Sequence, residues 1–139
     1  GGKKMPIKLF TREGGSGTSK YFDSHILKQK PISKNAQEMQ SIEGLIEAVS
    51  AEKGAVGYAG MGVLSTTNAK LKGLKLKLIA DTESVAATAE SATGNYPLSR
   101  PLYMFMDEHP KDSAKKFMDF CLGSNGQKLV KAAGYASIE

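Results

Sequence analysis

Apolar and polar positions alternate through PIKLFT, and this period of two predicts a strand over residues 6–11. A glycine-rich stretch follows. Beyond it Tyr21, Phe22, His25, Ile26 and Leu27 fall near helical spacing, and Pro31 closes that element. KPISKNAQEMQ shows no strong period and reads as a loop. Ile42, Leu45, Ile46 and Val49 obey the i, i+3, i+4, i+7 rule, which predicts an amphipathic helix over 41–52.

GAVGYAGMGVL then reads as a short apolar strand, broken by glycines where backbone must approach something closely. KLKGLKLKLIA alternates lysine and leucine, predicting a strand over 70–80 with one apolar and one lysine face. Lysines along a sheet edge discourage pairing with other chains, which is the role expected of them here. ESVAATAESATG fits a short helix stopped by glycine. NYPLSRPLYMFM reads as a loop or bend that feeds a strand. The next helix is expected to start at Asp107 or His109 with Pro110 in its first turn. Its buried face is expected to carry Ala114, Phe117, Phe120 and Cys121. SNGQKLVKAAG completes the chain as a helix with Ser124 as N-cap, Gln127 closing a capping box and Gly134 as its stop. Strands and helices interleave, so the fold class is α/β, a mixed sheet flanked by helices.

The totals narrow the function. A chain of 139 residues that is 40% hydrophobic can bury a real core. The 19 Lys and Arg residues against 14 Asp and Glu give a charge of +5, weaker than a dedicated nucleic-acid binder shows. One cysteine, Cys121, excludes an internal disulfide and leaves the compartment undecided. It sits in an apolar stripe and reads as an inert packed thiol. Met104, Met106 and Met118 read as core filler. His25 reads as a partly packed helix residue and His109 as a cap-region residue. At 84 positions apart, they give no metal signal. A serine nucleophile at Ser16 has no histidine at an obvious handover position, so the chain does not read as an enzyme.

The informative stretch is Thr11–Ser19, TREGGSGTS. A phosphate-binding loop of the G-x-x-x-x-G-K-[ST] kind fails in frame. The G-x-G-x-x-G fingerprint fails because Lys20 stands at its third glycine. The chemistry outlives both failures. Amides at a helix start lack intrahelical partners and attract an anion. Ser16 and Thr18 add hydroxyls, Gly15 and Gly17 allow close approach, and Arg12 offers a planar fork matching two oxygens of a tetrahedral oxyanion. An oxyanion cradle and a structural glycine turn both fit these residues.

TREGGSGTSKYF, GAVGYAGMGVL, NYPLSRPLYMFM and FMDFCLGSNGQKLVKAAGYASI, in this order, resemble the second half of bacterial phosphate-binding proteins, the extracytoplasmic solute receptors of phosphate ABC transporters. The resemblance runs from Ile7 to Ile138. It implies one lobe of a type II periplasmic binding protein over residues 6–139; residues 1–5, which open on GGKK, read by their composition as linker. By this resemblance Arg12, Ser16, Gly17 and Thr18 of the R-x-x-x-S-G-T pattern contact phosphate, with Gly15 as an additional contact. Arg100, a family landmark, is expected to be structural near the hinge. The acidic residue often found two positions after the arginine is Gly14 here, with Glu13 beside it.

The implied function is reversible capture of inorganic phosphate, without catalysis, for delivery to an ABC permease through the full-length receptor. A missing first lobe would supply the other contacts. The implied location is extracytoplasmic, in the periplasm or as a lipoprotein on the outer face of the cell membrane. No cofactor, metal or nucleic acid is implied. Sulfate or molybdate, or polyanions in general, are the alternative ligands. Self-association of the isolated lobe is a further expectation, since the surface meant for its partner would be bare.

Overall fold

A computed structural model describes residues 4–77 and 83–138, and the chain divides into two compact units. Gly1–Gly60 with Thr67–Lys72 form the first; Met61–Thr66 with Gly73–Glu139 form the second.

The first unit is built on a parallel sheet. Strand β1 (Lys8–Arg12) lies between β2 (Gln37–Met39) and β3 (Ala55–Val56), both parallel to it. A central parallel strand is covered on both faces, so Phe10 (8% exposed) and its neighbour Thr11 (7%) are buried alike although they point to opposite sides. The α/β class expected from the sequence is the observed one, and the described sheet is wholly parallel.

β2 falls where the sequence predicts a loop. Its three residues are too few to show a period, and their pairing is set by β1, with Phe10 opposite Gln37 and Arg12 opposite Met39. Helix α1 (Gly17–Phe22) runs directly into a π-helical turn at Asp23–Leu27. Lys28 and Gln29 then take left-handed φ values of 51° and 62° and end the helix before Pro31. Helix α2 (Ile42–Ala51) starts at its Ser41 cap, whose hydroxyl oxygen accepts from the Gly44 amide at 3.0 Å. Its Leu45 is 4% exposed. A Cβ on Gly57 would stand 3.1 Å from Val49 and 3.3 Å from Leu45, so glycine there lets α2 lie close on the chain after β3.

The second unit is helical among its described residues: α3 (Val63–Thr66), α4 (Ala89–Ala92), α5 (Asp112–Leu122) and α6 (Ser124–Ala132). Thr88 and Ser91 form a reciprocal capping box at α4. α6 ends in a Schellman turn, with Gly134 at φ 79° and the Tyr135 amide donating to the Val130 carbonyl. That turn packs on the Gly62–Ser65 segment so closely that a side chain on Gly62 would meet the Ala133 carbonyl.

Several expectations are corrected here. Over 70–77 no strand forms. Only Leu76 pairs, in an isolated antiparallel bridge with Val85, because no other described segment offers a ladder. Leu78, Ile79 and Ala80 lie outside the described residues, as do residues 1–3 of the expected linker. The strand expected after Pro101 is also absent, since residues 101–107 form no regular element and pair with no strand among the described residues. Met104 and Met106 are therefore exposed rather than core filler. α5 begins later than expected, after Lys111, because the Asp107 carboxylate caps the His109 amide in a local turn at 2.8 Å.

The expected buried face of α5 is open: Phe117 is 60% and Phe120 48% exposed. Ser124 is the first helical residue of α6 rather than its cap, a place Gly123 takes. Gln127 closes no capping box; its buried amide donates to the Cys121 carbonyl at 2.7 Å and accepts from the Ile138 amide at 2.9 Å. Among the described residues no helix is long and apolar enough to cross a membrane.

Candidate functional site

Parallel strands bring their carboxyl ends to one edge, the usual place for a ligand in an open α/β sheet. Arg12 ends β1 at that edge. Glu38 and Met39 end β2, and Tyr58 follows β3 by two residues. The glycine stretch leaves from this edge. The Ser16 amide donates to the Glu13 carbonyl at 3.2 Å, closing a turn through the exposed Gly14 and Gly15.

Ser16 is the N-cap of α1, and its Oγ accepts from the Ser19 amide at 3.3 Å. That bond uses a lone pair and leaves the hydroxyl hydrogen able to donate. The Lys20 amide begins the helical ladder at the Ser16 carbonyl. Gly17 and Thr18, one turn too early for that ladder, donate their amides to no described residue. Two orphan amides and a serine hydroxyl thus stand together in the stretch whose residues fit either an oxyanion cradle or a structural glycine turn.

Arg12 is the second component. Its side chain is nine-tenths buried, and its Nε has no hydrogen-bond partner. One guanidinium nitrogen lies 3.7 Å from the Glu13 carboxylate, a loose pair in which Glu13 remains 42% exposed. A buried guanidinium with an unused donor is expensive unless something anionic approaches it.

Arg12 lines a cavity of about 300 Å³ together with Thr11, Gly14, Ser19, Lys20 and Tyr58. The structure therefore gathers Arg12 and part of the glycine turn on one wall. Gly15, Ser16, Gly17 and Thr18 occupy the adjoining turn and helix start without lining that cavity.

Sequence reasoning missed Tyr58. Its hydroxyl lies 2.8 Å from Thr11 Oγ1, 3.1 Å from Ser19 Oγ and 3.4 Å from the Arg12 amide, and its ring stacks on Phe22 with centroids 4.1 Å apart. A tyrosine among glycines gives no periodic signal. Only the parallel pairing of β3 with β1 brings residue 58 beside residue 11. His25 stacks on Tyr21 at 3.9 Å, on the exposed side of the helix.

The parallel sheet with its edge site defines the class, and comparison with known proteins makes it specific. Residues 1–125 match the PBP superfamily domain, and the chain belongs to that family. It is 29% identical over 140 residues to the phosphate-binding protein PstS of Pseudomonas aeruginosa, covering 95% of this chain and 42% of that protein. It is 30% identical over 146 residues to the phosphate-binding protein PstS 2 of Streptococcus agalactiae, covering 98% and 47%.

Among solved structures, it superposes with a TM-score of 0.77 and 27% identity on a protein of Clostridium perfringens assigned as a phosphate ABC transporter substrate-binding protein and crystallised with bound phosphate. That match covers 96% of this chain and 53% of the other. A phosphate-binding protein of a Streptococcus pneumoniae phosphate ABC transporter gives 0.74 and 25%, covering 96% and 52%. The chain spans about half the length of the relatives it matches.

Proposed function

We propose that this chain is the oxyanion-bearing part of a two-lobed solute receptor, which captures inorganic phosphate reversibly and delivers it to an ABC permease outside the cytoplasm. Arg12 supplies the charge. The Ser16 and Thr18 hydroxyls and the amides of Gly15, Gly17 and Thr18 supply directed donors. The observations that carry this reading are the orphan amides at Gly17 and Thr18 and, at the end of the strand before them, a buried arginine whose Nε is unsatisfied. The phosphate-binding names of the relatives agree with it.

Residues 6–139 would form one lobe of that receptor, and the other lobe would complete the shell around the anion. The apolar strip at Leu102–Met106 and the open face of α5 fit a surface that the other lobe covers, or a second copy in its absence. Charge-assisted hydrogen bonds contribute about 1.5–3 kcal/mol each when shielded from water. With part of the shell missing and the rest wet, this chain alone should bind phosphate only at about millimolar strength, near −4 kcal/mol.

Amide chemical shifts under titration with phosphate test the reading. Gly15, Ser16, Gly17 and Thr18 should move together, at constant ionic strength, while the exposed lysines at 70–77 stay still. Arg12→Met, which keeps the buried stem and removes the unsatisfied Nε, should abolish those shifts without lowering stability. Movement of the lysines alone would refute the assignment.

A further inference from the structure

Beyond contacts to the anion, the cradle needs something to fix the spacing between β1 and α1, since exposed glycines join them. The hydroxyl of Tyr58 touches both ends of that junction: Thr11 Oγ1 and the Arg12 amide on β1, and Ser19 Oγ on α1. Hydrogen counting allows one assignment that uses every contact. Arg12 N–H can only donate, so it donates to the Tyr58 oxygen. Thr11 donates its hydrogen to the Arg12 carbonyl at 3.4 Å. With that choice the Thr11–Tyr58 contact uses the tyrosine hydrogen and the Ser19–Tyr58 contact the serine hydrogen. All four contacts are satisfied by one assignment in which each hydrogen is used once.

The ring is held as well, lying on Phe22 with an interplanar angle of 3°. Phe22 ends α1, so the stack grips the far end of the helix whose start the hydroxyl grips. Tyr58 itself hangs from β3, whose register with β1 continues Lys8–Ala55 and Leu9–Val56 toward Thr11 and Tyr58.

We infer that Tyr58 is a positioning residue: it clamps the amino end of α1 to the carboxyl end of β1, and so sets the distance between the Arg12 guanidinium and the orphan amides of Gly17 and Thr18. The part of this inference that concerns phosphate rests on the function proposed above; the clamp does not.

Tyr58→Phe in the full chain removes the hydroxyl and keeps the stack. Without ligand, amide exchange should rise several-fold at Arg12 and Ser19 while α2 keeps its protection and the melting temperature barely moves. With phosphate, the midpoint of the Gly17 and Thr18 shifts should move to about fivefold higher concentration, the loss of roughly one net hydrogen bond. Ser19→Ala should give a similar change, and the double variant should be no worse than either single one, because both break the same bridge.

Unchanged exchange at Arg12 and Ser19 in Tyr58→Phe would overturn the clamp. An unchanged phosphate midpoint, or full additivity in the double variant, would overturn its role in setting the spacing of the cradle. If the unsubstituted chain shows no phosphate response, the proposed function fails, and the exchange data alone decide for or against the clamp.

Discussion

The two units solve the burial problem differently. In the first, a helix and a sheet cover each other: Phe10 sits at the centre of three parallel strands, and Leu45 seals α2 against the chain after β3. In the second, the buried polar side chain among the described residues is an amide, Gln127, while Leu102, Tyr103, Phe105, Phe117 and Leu129 are largely in water. Phe105 is 91% exposed. Monomeric proteins seldom leave so many large apolar groups in succession uncovered. The contrast teaches that helical periodicity and burial need not go together: the first unit covers its apolar residues within a sheet and a helix, while the second leaves large apolar side chains open.

That contrast can be broken most forcefully at Leu45. Leu45→Ala should cost about 2–5 kcal/mol, the transfer loss plus a cavity at a nearly closed site. Urea denaturation followed by residue-resolved amide exchange should place the loss in β1, α2 and α1. An equal loss across α5 and α6 would show one cooperative block rather than two units.

Gly126 provides the reciprocal test with a smaller expected effect. A Cβ there would collide with the backbone carbonyls of Phe120 and Cys121, atoms that cannot swing aside. Gly126→Ala should therefore cost about 1–3 kcal/mol by overpacking, with faster exchange in α6 and none of the loss felt at Phe10 or Thr11.

How much of this was legible in the sequence follows from the range of the forces involved. β1, α2 and the end of α6 at Gly134 could be read because alternation, a four-residue apolar stripe and a left-handed glycine are local devices. The R-x-x-x-S-G-T spacing was legible for the same reason, since turn and cap lie within seven residues. β2 was not, because three polar-flanked residues become a strand only when β1 lies beside them. Tyr58 was invisible because its role depends on meeting residues 39 to 47 positions away. α5 misled in an instructive way. Its apolar stripe predicts a buried face, and the periodicity is real, but periodicity says which side of a helix wants cover and not whether this chain provides it.

The smallest expected effect is the sharpest discriminator, and it lies on that uncovered side. Phe117→Ser and Phe105→Ser remove two aromatic rings from positions 60% and 91% exposed. Serine and phenylalanine have similar helix propensity, so α5 should lose little at residue 117 from the exchange itself. If both rings stand in water, the double variant should change unfolding free energy by no more than about 0.5 kcal/mol, far below the Leu45→Ala cost. Sedimentation velocity over a range of concentrations should meanwhile show weaker self-association than the unsubstituted chain, because the removed rings are the surface a second copy would grip. A loss of several kcal/mol instead would mean that these rings are covered within the chain in solution. The second unit would then own a closed core like the first, and the contrast between them would disappear.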